Sequence, residues 1–529
     1  VKSTCLLVFV CVLALPAFAG PDWLARVNGT TPGTLAEHGA EVLLELDGWC
    51  LVRASEAVLE RIGDDVELLD RAPESRLYCY VTPAPGFNRA RLAQHGRILT
   101  TDADGVLLAT TEEDILELNR LPVALCRVPA EPLVISDQDQ TRPPLPSVDD
   151  SLVQNLVDRV SEDSVQAFIE RLVAFYTRYS TTDSCRRAME WVRDRLDGYN
   201  CDSTALEPFR SNYAPNAIGV KRGQVNPQRI YVICGHVDNT SDYAPNRCPG
   251  SDDNGSGTAA VLEACRVFAD VEFDNTVWFI GFAGEEQGLY GSDSFAARCY
   301  RRRDSIQAVL NFDMISYGRQ GIDTFEVIGK RSNPNCEWLV DFYVAQADTF
   351  SSLKAKKQMV NSAPYSDHHS FWQRGYVAFC GIENDFTPMY HTIGDTIGPL
   401  YYVYCGTNNV PMATDAIRAA VATIAKLAGA HIQSGVTETC RRRPPARLIG
   451  ISPSLGRAPL VAQFTPPGST SAMLEVRDAA GNLRRMLPVS GSAAWDGLDT
   501  QGRKCAAGVY LFRLVDGRTG SSAKAVLTE

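Results

Sequence analysis

Two glutamates stand side by side, Glu285 and Glu286, in the stretch FAGEEQGLYGS, directly after the apolar run TVWFIGFA. In a glycine-rich turn after a buried strand, two adjacent carboxylates could be no more than a solvated loop. They can divide labour instead, one binding a metal and the other serving as a general base. Other acids and imidazoles fall at comparable places. His236 and Asp238 follow the apolar run RIYVICG, and Asp313 follows AVLNF. Asp253 lies in CPGSDDNGSGT, a loop whose Asp and Asn residues could equally cap a following helix. His391 sits in YHTIGDT. Each alone is a weak signal, a turn histidine or a strand-ending acid. Together they supply two imidazoles, three separated carboxylates and one adjacent spare, an inventory that suits two divalent cations.

The chemistry asks for these residue types. A zinc pair about 3.5–4 Å apart needs neutral imidazoles and ionised carboxylates, one of them bridging, with space left for water and substrate. Zinc brings the pKa of bound water toward about 7 and polarises a carbonyl oxygen. A carboxylate beside that water, held off the metal, accepts its proton and passes it to the leaving amine.

In chain order the motifs HVDN, SDDNGSG, GEEQGLYGS, NFDM and YHTIGDT resemble those of the co-catalytic di-zinc aminopeptidases of the bacterial leucyl aminopeptidase type, and the resemblance covers residues 165 to 430. It implies that His236 and Asp313 bind one zinc, that Glu286 and His391 bind the other, that Asp253 bridges them and that Glu285 is the base. It also implies that Asp238 accepts the second N–H of His236, that the Asp253–Asn254 peptide is cis, and that Met314 and Tyr365 border the substrate. SDHHSFW, residues 366 to 372, resembles a family segment that lies near the pocket without ligating metal, so His368 and His369 are expected to be structural. The implied cofactor is two Zn2+, and the implied reaction is removal of N-terminal residues, hydrophobic ones foremost, from peptides. A glutaminyl cyclase, a single-zinc enzyme of the same peptidase clan, is the alternative, and a catalytically dead binding protein a third reading. The complete SDDNGSG and NFDM motifs favour the peptidase. Neither H-E-x-x-H nor G-x-S-x-G occurs, so a zincin or a serine nucleophile has no support.

The elements that must position these residues come from residues 151 to 434, where amphipathic helical patterns such as SVQAFIERLVAFYTRY, RRAMEWVRDRLDGY and SGTAAVLEACRVFAD alternate with the three apolar runs. That alternation predicts an α/β fold with a mixed, largely parallel sheet flanked by helices. In such sheets ligands bind beyond the carboxyl ends of the strands, where all three runs would present their acids and imidazole to one crevice.

The rest of the 529-residue chain is organised around this core. Residues 1–19 have a lysine, a short apolar stretch and a small-x-small site at Ala17–Ala19, the pattern of a secretory signal peptide, which predicts a secreted or cell-surface protein. Of the 16 cysteines, 14 lie beyond it, and an even number in an exported chain predicts disulfides. No later apolar run reaches the ~18 residues of a membrane span. Residues 35–62 and 92–119 align without a gap at an offset of 57, each reading as an extended segment, an Asp-Gly turn, a strand and a helix, followed by a Cys-bearing strand, RLYCYV or VALCRV. They predict a pseudo-twofold α+β domain over 20–135, read as a propeptide that assists folding or covers the crevice, with a linker at 136–150. Its equivalent histidines, His38 and His95, are expected to be structural.

After a linker at 435–458, the alternating strands MLEVRD and GVYLFRLV, with turns at Ala480–Asn482 and Asp516–Gly517, predict a small β-sandwich over 459–529. WDGLDTQGRKCAAGVYLFRL resembles the immunoglobulin-like module of flagellar hook-capping proteins, which implies a role in surface attachment. Charge marks the same boundary. The chain carries −12 in all, but from 437 onward 13 Lys and Arg face 7 Asp and Glu, a net +6 that leaves −18 for the body. An acidic body without basic clusters interleaved with aromatics argues against nucleic acid as a partner.

Overall fold

The computed structural model describes residues 22–528 apart from 74–75, 136–143, 319–323, 398–408, 433–447 and short stretches between 453 and 519. The expected signal peptide and most of both expected linkers lie outside the described residues. Two compact units emerge, one running through Ile432 and one over Gln433–Glu529. The first therefore contains both the N-terminal repeats and the α/β layer.

The repeats build two four-stranded antiparallel sheets. The first comprises β1 (Trp23–Asn28), β2 (Glu41–Leu46), β3 (Trp49–Ala54) and β4 (Val66–Asp70), in the order β2-β3-β1-β4. The second comprises β5 (Leu77–Pro83), β6 (Arg97–Thr101), β7 (Val106–Thr110) and β8 (Val123–Arg127), in the matching order β6-β7-β5-β8. Helices α1 (Pro32–Glu37), α2 (Glu56–Ile62) and α3 (Glu112–Leu118) connect them. RLYCYV opens the second sheet, pairing with β7 and β8, and VELLD closes the first. β2, β3 and β7 are buried at nearly every position because each sheet has two apolar faces, one packed on its helices and the other in a cluster that joins Leu44 and Leu51 to Tyr80 and Leu107. His38 and His95 cap the C-termini of α1 and of the 3-10 turn Arg89–Gln94.

The α/β layer is built on an eight-stranded mixed sheet. Its strands are β9 (Ser203–Glu207), β10 (Asn216–Lys221), β11 (Asn226–His236), β12 (Asn275–Phe282), β13 (Ser305–Phe312), β14 (Phe325–Lys330), β15 (Ala355–Val360) and β16 (Ala378–Glu383). They lie in the order β15-β14-β16-β13-β11-β12-β10-β9. The central β11 runs parallel to both β12 and β13, so the three ends that carry candidate residues point the same way. β11 and β12 are apolar on both faces because helices cover both: Gly255–Val267 and Val410–Ala428 lie in one buried cluster and Tyr290–Arg302 contributes to the other.

Close approach at one crossing sets the crevice. A Cβ on Gly235 would lie 2.8 Å from the Phe312 carbonyl oxygen, and one on Gly257 would lie 2.2 Å from the same atom. Only hydrogen at both positions lets β11, β13 and the helix opening at Gly255 converge, and each delivers a ligand candidate at that point.

The twelve described cysteines form no disulfide, and eleven of them are buried. The expected disulfides are thus absent among the described residues. The reason is placement: most of these thiols serve as small apolar side chains inside the core clusters, away from the loops that disulfides usually staple. Cys201 and Cys265 approach to 3.5 Å between sulfurs without a bond.

The second unit has a three-stranded and a five-stranded sheet sharing a core of Leu460, Leu474, Val476, Trp495, Tyr510 and Phe512. MLEVRD pairs with Leu483–Pro488 across the predicted 480–482 turn, of which Asn482 is described, and the turn at 516–517 lies outside the described residues. No described helix is long and apolar enough to cross a membrane.

Candidate metal centre

The six residues singled out as ligands or base converge on one buried point. His236 ends β11, Asp313 follows β13, and Glu285 and Glu286 lie in the turn after β12, which Gly284 enters at φ 74°. Asp253 precedes the helix Gly255–Val267, capped by Asn254, whose Oδ1 accepts from Gly257 N at 2.7 Å and whose Nδ2 donates to Phe312 O at 2.9 Å. The Asp253–Asn254 peptide is cis. His391 reaches the centre from a loop, at φ 55°.

Nε2 of His236 lies 3.2 Å from Asp313 Oδ1 and 3.4 Å from Asp253 Oδ1. Nε2 of His391 lies 3.2 Å from Asp253 Oδ2 and 3.0 Å from Glu286 Oε2. The two oxygens of Asp253 therefore face two different imidazoles. His236, Asp253 and Asp313 form one ligand cluster and Asp253, Glu286 and His391 another, each with its donor atoms within 4.8 Å of one another. Glu285 belongs to neither of these but to a third such cluster, with His236 and Glu286, and stands 3.9 Å from His236 Nε2.

The donor chemistry fits two cations. Each imidazole gives its Nδ1–H to a backbone carbonyl, Asp238 O at 3.1 Å for His236 and Leu121 O at 3.0 Å for His391, which leaves Nε2 as the metal-facing lone pair. Four carboxylates crowd these nitrogens, and Glu286 Oε1 is buried with no hydrogen-bond partner. Burial would push the His236 imidazole down, yet Asp313, Glu285 and Asp253 hold it well above its ordinary range. Burial likewise opposes the charge on His391, but Glu286 and Asp253 lift it to about 10. Asp253 is pushed up to about 6 by burial and by Glu286. Burial also raises Asp313, but His236 and a hydrogen bond from Ser366 outweigh it and keep this carboxyl low. So much compressed negative charge is the environment a divalent cation relieves.

Asp238 acts differently from expectation. Its carboxylate stays 3.8 Å from His236 Nδ1, and its backbone carbonyl takes the hydrogen bond instead. The carboxylate turns toward the 284–286 turn, accepting from Ser180 Oγ at 2.5 Å and from the amides of Glu285 and Glu286 at 3.4 Å. The unpaired amides of a tight turn offer a buried carboxylate more donors than one imidazole can. Asp238 therefore steadies the turn that carries Glu285 and Glu286. Met314 is buried beside Asp313 at φ 50°, and Tyr365 is half-buried with its ring edge-on to His368. His368 packs against Trp372 at 4.5 Å between centroids and His369 lies beside Gln373; burial pushes His368 down to about 3, and neither belongs to a ligand cluster.

Sequence reasoning missed the residues that hold the loops. Arg178 is wholly buried and donates to the carbonyls of Val237, Pro249 and Gly250, each at 2.7 Å, tying the end of β11 to the loop that leads to Asp253. Asp395 accepts from the amides of Asp252 and Asp253 at 2.9 and 3.0 Å, aiming the shared carboxylate. Tyr390 stacks on His391 with centroids 3.7 Å apart. From the N-terminal repeats, Asn119 and Leu121 reach the His391 side. The lone signal for this set was their position inside or beside the quoted motifs, which Arg178, Asn119 and Leu121 lack.

Residues 216–402, which span all six ligand and base candidates, match Peptidase family M28. A probable leucine aminopeptidase of Arthroderma benhamiae is 30% identical over 264 residues, 47% of this chain and 70% of the relative. The chain belongs to peptidase family M28. Leucine aminopeptidase 1 of Sclerotinia sclerotiorum is 28% identical over 333 residues, 58% of this chain and 84% of that protein. The crystal structure of the LapA aminopeptidase of Legionella pneumophila shares the fold, with a TM-score of 0.51 at 19% identity, over 68% of this chain and 99% of that one. The M28 chain is a zinc metallopeptidase, a metal-dependent aminopeptidase.

Proposed function

We propose that this M28 peptidase holds two zinc ions, one at His236 and Asp313 and one at Glu286 and His391, bridged by Asp253, and that Glu285 is its general base. The observation that carries the proposal is the division of Asp253 between two imidazoles, with Glu285 farther from His236 Nε2, at 3.9 Å, than Asp313 or Asp253. Bound there, zinc supplies Lewis acidity to a peptide carbonyl and to water. The chain's own groups do the remaining work. In the metal-free chain burial, with Glu286 and Asp313 nearby and against the pull of His236, pushes the Glu285 carboxyl well above its ordinary range. With cations held by the neighbouring ligands that repulsion is relieved, which leaves Glu285 ionised and able to take a proton from attacking water. The same oxygen returns the proton to the departing amine. Asp238 and Ser180 keep the turn from swinging, so the base stays in place while its neighbour serves as ligand. Near-complete burial of the six groups keeps bulk water from competing.

The preferred substrate is a peptide with a hydrophobic N-terminal residue, a reading supported by the buried Met314 beside Asp313 and by the leucine aminopeptidase relatives. Residues 1–19 support export, and the two-sheet C-terminal unit supports a role in surface attachment. The test measures zinc content and p-nitroaniline release from leucyl and alanyl anilides, for wild type and Glu285→Ala. About two zincs in both proteins with hydrolysis in the wild type alone is the expected result. One zinc without anilide hydrolysis sinks the proposal in favour of the cyclase chemistry.

A further inference from the structure

The three residues that follow α3 hydrogen-bond to the turn that carries Glu286, to the 240–244 loop and to His391. The Asn119 side chain, wholly buried, donates through Nδ2 to the backbone carbonyl of Glu286 and accepts through Oδ1 from the Tyr179 hydroxyl at 3.3 Å. Its own carbonyl accepts from Thr240 Oγ1 at 2.7 Å. Arg120 Nε donates to Ala244 O at 3.1 Å, and Leu121 O accepts from His391 Nδ1 at 3.0 Å. A segment of the N-terminal repeats thus hydrogen-bonds one candidate ligand through its ring and another through its backbone.

The two halves of the centre differ in this respect. His236 is oriented by the carbonyl of Asp238, two residues along the same chain segment, and its own carbonyl accepts from Thr258 Oγ1 at 2.7 Å. Every one of those partners lies within the α/β layer. His391 takes its tautomer and ring angle from Leu121, 270 residues away. The repeats are firmly docked as well. Glu45 pairs with Lys330 at 2.9 Å with both side chains largely buried, Asp47 N donates to Ser362 Oγ at 2.6 Å, and Gln373 Nε2 donates to Leu43 O at 3.2 Å.

The internal repeat itself marks the specialisation. At the offset of 57, Asn119-Arg120-Leu121 stands opposite Ile62-Gly63-Asp64. Ile62 has no side-chain amide to offer, and the two helices end differently, α2 at its C-cap Gly63 with φ 100° and α3 at its C-cap Asn119 in the αR region. Only the second copy has a segment that fits the metal centre.

We propose that Asn119 and Leu121 are positioning residues of the Glu286 and His391 metal site, so that the N-terminal repeats are a standing part of that site and not a dispensable propeptide. The inference rests on the two-metal reading above. Asn119 fixes the backbone from which Glu286 projects, and the Leu121 carbonyl holds the His391 Nδ1–H so that Nε2 stays free for the metal. Groups that orient a ligand in this way typically contribute about 10–100-fold to metal affinity.

The test is calorimetric titration of zinc into the metal-stripped full chain, for wild type, Asn119→Ala and Asn88→Ala. Asn88 caps the 3-10 turn of the same repeat, far in sequence from the site, and controls for general loosening of that domain. The expected result is two tight equivalents in wild type and Asn88→Ala. Asn119→Ala should keep one tight equivalent while the other weakens about 10–100-fold, with excess zinc restoring anilide hydrolysis. Equal weakening of both equivalents, or none, overturns the inference while the two-metal reading stands. A single equivalent in wild type overturns that reading and this inference with it. If Asn119→Ala does not fold, Thr240→Val, which removes a bond to the Asn119 carbonyl from the opposite side, takes its place with a smaller selective weakening of the same equivalent, and unchanged binding overturns the inference.

Discussion

The His236 and His391 halves of the centre look alike in ligand chemistry, one imidazole and one private carboxylate each with Asp253 shared, but they are built differently. His236 and Asp313 sit at the ends of adjacent parallel strands, where sheet register fixes them. His391 sits on a loop at φ 55°, held by a stacked tyrosine and a carbonyl from the N-terminal repeats. A ligand at the end of a strand inherits its position from the sheet, whereas a ligand on a loop must be held by borrowed contacts. The first half should therefore be robust and the second conditional.

The largest effect lies between the halves. Glu285→Gln keeps the size of the side chain and removes the proton acceptor, so kcat should fall about 10²–10⁴-fold with both zincs retained. Loss of a zinc in this variant would mean that Glu285 is a ligand. Next comes Arg178→Met, which leaves three buried carbonyls without a donor at about 1–3 kcal/mol each. A destabilisation of roughly 3 kcal/mol or more in denaturant unfolding is expected, and a change below about 1 kcal/mol would show that the loops hold without it.

The pH dependence of zinc binding is a smaller lever, and both halves contribute to it, since His236 is also held well above its ordinary range. With its pKa raised to about 10, His391 is protonated at neutral pH in the metal-free chain, while zinc requires the neutral ring. Each binding event at this site therefore expels a proton, and affinity should drop as pH falls from about 10, by up to about tenfold per unit per proton. Chelator competition at several pH values measures the slope, and a flat profile would contradict the charge account. The smallest effect is expected for Tyr390→Leu. Losing the stacked ring should cost about 0.5–1.5 kcal/mol of zinc affinity on the His391 side and leave the other half untouched, as read by the second phase of a zinc titration.

The strand-borne half was the more legible one in the sequence. Three apolar runs ending in His236, Glu285–Glu286 and Asp313 state both the strands and where their ends point, and the eight-stranded sheet follows that pattern. Asp253 and His391 were legible through their motifs alone. The contacts that hold the loops were not, for physical reasons. Leu121 acts through a backbone carbonyl, which every residue possesses, and Arg178 falls at the end of the helical pattern SVQAFIERLVAFYTRY, where nothing marks it as the wholly buried residue it is. The role expected of the Asp238 carboxylate went to its own backbone, because side-chain direction after a strand is set by the next turn. The cysteines show the same limit: their even number suggested bonds, and only packing reveals that those described are core residues.

The account's central claim is two metals sharing one carboxylate, and anomalous diffraction at the zinc edge from crystals of the zinc-loaded protein tests it most directly. The prediction is two peaks about 3.5–4 Å apart, one beside His236 and Asp313 and the other beside Glu286 and His391, with an Asp253 oxygen at each. A single peak, or a second one away from His391, would contradict it.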